Sequence, residues 1–160
     1  MLRIFILMLS LATAGAATAQ GALDRNDAPG RAGPPVHVSE FGRYTLRANA
    51  VSSEVLAPGT ARKHGIERAA DRGVLNLVIL ERTDGGQAPV RAEVSATQDN
   101  LLGQAEVIEM REVEQNGRVS YLGTFDFSPL RNFSFTITAR PIGGGEPMTV
   151  EFEDRLLRER

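Results

Sequence analysis

Pro89-Val-Arg-Ala-Glu-Val-Ser-Ala-Thr97 opens the stretch, residues 89–127, whose reading decides the fold, and Gln115-Asn-Gly-Arg118 lies near its end. In the first segment Val90, Ala92, Val94 and Ala96 fall on one face and Arg91, Glu93, Ser95 and Thr97 on the other, the period of a half-buried strand. Asn116-Gly117 supplies the two residues tolerant of positive φ that a two-residue type I′ hairpin requires. Between them, Asn100-Leu-Leu-Gly103 turns the chain into a strand over residues 106–113. Val119, Tyr121, Gly123, Phe125 and Phe127 form the inward face of the strand after the hairpin. The stretch therefore predicts three consecutive antiparallel strands.

The same alternation extends outward in both directions. Upstream, Tyr44, Leu46, Ala48 and Ala50 alternate with Arg43, Thr45, Arg47 and Asn49 in a first strand. Pro58 suits a first helical position, Arg62, Lys63 and His64 suit a helix C-terminus, and Gly65 suits the left-handed residue beyond it. This predicts a helix of one to two turns, too short to persist in water unless it packs against the sheets. Residues 73–81 are apolar on both faces, as a central strand requires, although periodicity alone does not separate such a run from a buried helix. Asn76 interrupts that run and needs a hydrogen-bonding partner. Downstream, Phe133, Phe135, Ile137 and Ala139 form another inward face, and Gly143-Gly-Gly145 leads to Met148, Val150 and Phe152. About seven strands and one short helix between the first two predict an all-β, two-sheet antiparallel sandwich of immunoglobulin-like architecture. The Cys and Trp hallmarks of immunoglobulin domains are absent.

Residues 1–19 read as a signal peptide. Arg3 precedes an apolar run from Ile4 to Ala14, and Ala17-Thr18-Ala19 is a small-x-small cleavage site, with cleavage expected after Ala19. The run is about half the ~20 residues needed to cross a bilayer, so no stable membrane anchor is expected after cleavage. Residues 20–39 form a Gly/Pro-rich leader, expected to be flexible, residues 40–154 the sandwich, and residues 155–160 a charged tail. The expected location is periplasmic. The chain contains no cysteine, which excludes disulfides, thiol catalysis and thiolate metal sites. A formal net charge of −2 argues against nucleic acid or anionic membrane as the main partner.

No residue constellation demands a particular chemistry. His37 and His64 stand 27 residues apart, and neither belongs to a ligand cluster, so no metal and no cofactor are expected. Glu106, Glu109, Glu112 and Glu114 make a carboxylate-rich strand whose charges read as those of a soluble edge. Arg62, Lys63, Arg68 and Arg72, beside His64, gather around the short helix. They form either a solvated loop or a surface for an anion or a protein partner. Asn49, Ser53 and Asn76 are candidates for polar structural or ligand contacts.

Phe41-Gly-Arg-Tyr44, Asn49-Ala50, Ser53, Leu56, Pro58, Gly65-Ile66 and Arg68 together resemble the opening of a family of small exported proteobacterial proteins, domain of unknown function 4426. Gly73-Val-Leu-Asn76, Val94-Ser-Ala-Thr97, Asn100-Leu-Leu-Gly-Gln104, Met110-Arg111-Glu112 and Tyr121-Leu122 continue the resemblance in order. It implies a signal-bearing periplasmic single-domain protein and supplies no activity, cofactor or catalytic residue. His64 stands where similar sequences lead one to expect an aromatic residue.

The expectation is a non-catalytic accessory or binding module whose partner is another envelope protein, engaged by the helical connection and by an exposed sheet edge. Two rivals remain open. One is a hydrolase or lyase using Ser53, Asn76 and Glu112 in a cleft between sheets, and the other is a self-associating structural component of the envelope.

Overall fold

Leu75, Leu77 and Ile79 are wholly buried, and the strand that carries them, β3 (Arg72–Thr83), lies in the interior of a sheet, as its doubly apolar pattern predicts. The computed structural model describes residues 35–99, 104–128 and 132–156. The expected signal peptide, most of the expected leader and the last four residues lie outside these, so the expectations placed there fall outside the described residues.

In the first sheet, β1 (His37–Phe41), β2 (Tyr44–Ser52) and β3 lie side by side, followed by β8 (Arg118–Asp126) and the edge strand β7 (Arg111–Gln115). The short β4 (Gly86–Pro89) pairs with the far end of β3. The second sheet runs β10 (Met148–Arg155), β9 (Asn132–Pro141), β5 (Ala92–Asp99), β6 (Ala105–Ile108). Every pairing is antiparallel. One core joins the two inner faces, with Leu46, Ala48, Leu75 and Ile79 from the first sheet and Phe135, Ile137, Val150 and Phe152 from the second. The chain is thus the two-sheet sandwich expected of it.

The aromatic residues fill the centre. Phe135 has no exposure, meets Phe125 edge-on at 5.1 Å and stacks on Phe152 at 5.2 Å. Tyr121 keeps its hydroxyl in the core because it accepts the Ala92 N–H at 2.7 Å and donates to Glu112 at 3.3 Å. Burial raises the Tyr121 phenol above its ordinary pKa.

Several boundaries differ from the sequence reading. The described residues hold ten strands rather than about seven. The strand expected over residues 106–113 is two: β6 pairs with β5 in the second sheet, and the chain crosses at Glu109–Met110 to become β7 in the first. The alternation foreshadows this, because Ile108 and Met110 share a phase with Glu112 and Glu114, leaving no face apolar throughout. Gly123 permits the crossing, since a Cβ there would meet Ile108 at 2.5 Å and Met110 at 2.6 Å. The segment beginning at Pro89 likewise divides, with Pro89 ending β4 and β5 starting at Ala92. The Asn116-Gly117 hairpin is as predicted, with φ of 53° and 72°.

At the N-terminal side, β1 begins inside the stretch read as leader and turns into β2 through Gly42 at φ 60°. His37 anchors it: the ring stacks on Phe152 at 4.1 Å, and Nε2 lies 3.2 Å from the buried Asp154 carboxylate. This closes the edge of one sheet onto the edge of the other. At the C-terminal side β10 runs through Arg155, and Leu156 is buried, so the charged tail starts later than expected.

Candidate functional site on the helical connection

The connection from β2 to β3 lies on the outer face of the first sheet. Its helix α1 (Pro58–Lys63) starts with proline at its first position and ends with two cations in its last turn. The Gly65 N–H donates to the Arg62 carbonyl and the Ile66 N–H to the Ala61 carbonyl, with Gly65 at φ 59°. This is a Schellman termination, which satisfies two carbonyls that the helix would otherwise leave open. It also brings Ile66 beside Ala61, and both pack on Val74 with Val51, Leu56 and Leu122. The second apolar face of β3 is thereby covered, which is why six residues suffice for a stable helix here.

Ser53, wholly buried, ties the two ends of the connection together. Its hydroxyl accepts the Ala69 N–H at 2.9 Å and donates to the Ala69 carbonyl at 3.2 Å. Both bonds of the hydroxyl are made within the connection, the arrangement of a structural brace. Ser53→Ala leaves the Ala69 N–H unmet, while the Ala69 carbonyl keeps the Arg72 N–H, and is expected to cost about 1–3 kcal/mol. Urea unfolding, with faster hydrogen exchange at the Ala69 amide, checks this.

The predicted basic residues are held by different parts of the fold. Arg68 donates to the Glu54 carbonyl at 2.5 Å, and Arg72 forms an ion pair with Asp126 at 2.9 Å. Lys63 donates to Gln115 Oε1 at 3.1 Å, bridging α1 to β7. Arg111, which was not among the predicted site residues, donates to the His64 carbonyl and makes a second bridge. Arg62 is exposed and has no side-chain partner among the described residues. His64 is held below its ordinary pKa by burial, with Lys63 and Arg111 adding repulsion. The Arg111 contact left no local sequence signal, because the two residues stand 47 apart and meet only through the sheet.

The other polar candidates do not converge. Asn49 and Asn76 face each other across β2 and β3, with Asn76 Nδ2 donating to Asn49 Oδ1 at 3.1 Å. They point outward, since Leu75 and Leu77 beside Asn76 are in the core. Glu112 lies opposite the inward-facing Tyr121 and is joined to Arg91 at 3.3 Å. Ser53, Asn76 and Glu112 therefore share no cleft, and Asn76 and Glu112 belong to opposite faces of one sheet. Glu106 sits on the second sheet, apart from Glu112 and Glu114 on the first. Among the described residues no three His, Cys, Asp or Glu side chains gather as a metal shell.

The model of the family described as domain of unknown function DUF4426 matches residues 38–159. The chain belongs to the DUF4426 family. A crystal structure of a DUF4426 protein from Pseudomonas aeruginosa PAO1 is similar at 28% identity and a TM-score of 0.67, over 78% of this chain and 97% of that one. FetP of uropathogenic Escherichia coli strain F11, expressed in the periplasm, is similar at 14% identity and a TM-score of 0.57, over 79% of this chain and 97% of its own. A copper-bound variant of FetP is similar at 15% identity and a TM-score of 0.57, over 79% and 93%. These two likenesses are of fold alone. No protein of curated function matches the chain.

In this DUF4426 chain, residues that carried the resemblance have duties within the fold. Gly65 and Ile66 terminate α1, Arg68 caps the Glu54 carbonyl, Ser53 braces the loop, and Asn76 pairs with Asn49.

Proposed function

We propose that this protein is an exported, periplasmic accessory domain that acts by binding, with another envelope protein as its partner and the α1 connection as its contact surface. One observation carries this reading: the connection is a rigid mount that displays an uncommitted cation. Ser53 and Arg68 tie the segment to itself and Lys63 and Arg111 fasten it to β7, while Arg62 projects from it with no partner among the described residues. A surface ordered before binding loses less entropy when a partner docks. The Arg3-led apolar leader and its small-x-small site support export, and FetP, of the same fold, was expressed in the periplasm. The separation of Ser53, Asn76 and Glu112 counts against the hydrolase reading.

In-cell crosslinking of the tagged protein, followed by capture from the periplasm and mass spectrometry, tests the proposal. One enriched envelope partner is expected, lost when Arg62→Glu reverses the charge of the unpaired cation. Arg68 is a poor choice for this reversal, because its guanidinium supports the loop itself. A partner retained by the variant removes α1 from the contact surface, and recovery of the protein alone favours self-association.

A further inference from the structure

A second site lies where the two sheets part. Register pairing between β7 and β8 stops at Leu122, and no described strand pairs with Gly123–Asp126 on that side. The Phe127 N–H donates to the Asp71 carbonyl on the β3 side, so strand alternation turns the peptide groups of Thr124 and Asp126 the other way. They face a cleft of about 230 Å³ between β8 and the free edge of β6, with Phe125 and Ile108 in its lining.

Gln98 spans the back of this cleft. It is 3% exposed, and its Nε2 donates to the Glu106 carboxylate at 3.0 Å and to the Asp126 carbonyl at 3.1 Å. Two acceptors around Nε2 settle which end of the amide is nitrogen. Oε1 is then left buried without a hydrogen-bond partner, a deficit that folded proteins rarely leave unmet. Charge adds a second preference. Asp126 is neutralised by Arg72, whereas Glu106 meets no cation among the described residues. Val107, 74% exposed, sets an apolar side chain beside it.

We infer that this cleft binds an extended peptide that adds alongside Thr124–Asp126 and presents a basic side chain to Glu106. The Thr124 N–H and C=O and the Asp126 N–H stand in the spacing of a strand, the Asp126 carbonyl being held by Gln98, while the Gln98 oxygen takes a donor and the carboxylate selects the cation. The inference deepens the reading of the chain as a binding domain, and it uses none of the α1 residues.

The test is an NMR titration of the 15N-labelled protein, purified from the periplasm, with the blocked peptide acetyl-Thr-Val-Lys-Val-Thr-amide. Saturable shifts are expected at the Thr124 and Asp126 amides and at the Gln98 side-chain amide. Glu106→Gln keeps an acceptor for Gln98 while removing the charge, and is expected to weaken binding about fivefold, the fold-change of one partly exposed charge contact. Arg62→Glu should leave the titration unchanged, which separates this site from the α1 surface. No saturation at these amides, or equal affinity for the peptide with Glu in place of Lys, overturns the inference whatever the crosslinking shows.

Discussion

Phe135→Ala is expected to cost about 3–5 kcal/mol, a large part of the stability of a domain this size. Phe135 has no exposure and sits between the edge-on Phe125 ring of one sheet and the stacked Phe152 ring of its own. Removing it deletes buried apolar area and leaves a cavity that the flanking rings cannot close without losing their own contacts. With no disulfide to hold the sheets together, the core bears that loss alone. The expected result is a lower urea midpoint with the slope unchanged. A midpoint shift below ~1 kcal/mol would place Phe135 outside the centre of the core.

Gly73→Ala is expected to cost about 1–3 kcal/mol by the opposite mechanism, overpacking. Gly73 is the cross-strand partner of Phe125, whose ring lies over it so closely that an added Cβ would meet ring atoms at 2.3, 2.5 and 2.8 Å. The Phe125 ring has little freedom to retreat, because Phe127, Phe133 and Phe135 surround it. The decisive comparison is the double variant Gly73→Ala with Phe125→Leu. A smaller side chain should relieve the clash, so the pair is expected to lose less stability than the two single changes added together. Simple additivity would show that the ring does not occupy the space above Gly73.

The two-sheet architecture was legible because its signals are local. The alternation at Tyr44–Ala50 and Phe133–Ala139, the doubly apolar Leu75–Leu80 run and the Asn116-Gly117 turn each follow from side-chain period or turn chemistry within about ten residues. The Schellman end of α1 was legible for the same reason. What escaped depends on partners distant in sequence. The sheet crossing at Glu109–Met110 requires Gly123 opposite it, and the place of His37 requires Phe152 and Asp154. The basic cluster was legible as composition. Which of its members the fold would occupy was not, since Asp126, Gln115 and the Glu54 carbonyl reach those side chains only after the sheet forms. The Gln98 cleft lay deeper still, because it depends on where one strand stops pairing with the next.

Binding through the α1 surface is tested most directly by photo-crosslinking in living cells, with the crosslinking residue placed at Arg62 in one strain and at Thr149 in another. Thr149 is exposed on β10 of the second sheet, far in the topology from α1. The expected result is a discrete crosslinked species to one envelope protein from position 62 and none from position 149. The same species from both positions, or none from position 62, would contradict the assignment of the α1 connection as the binding surface.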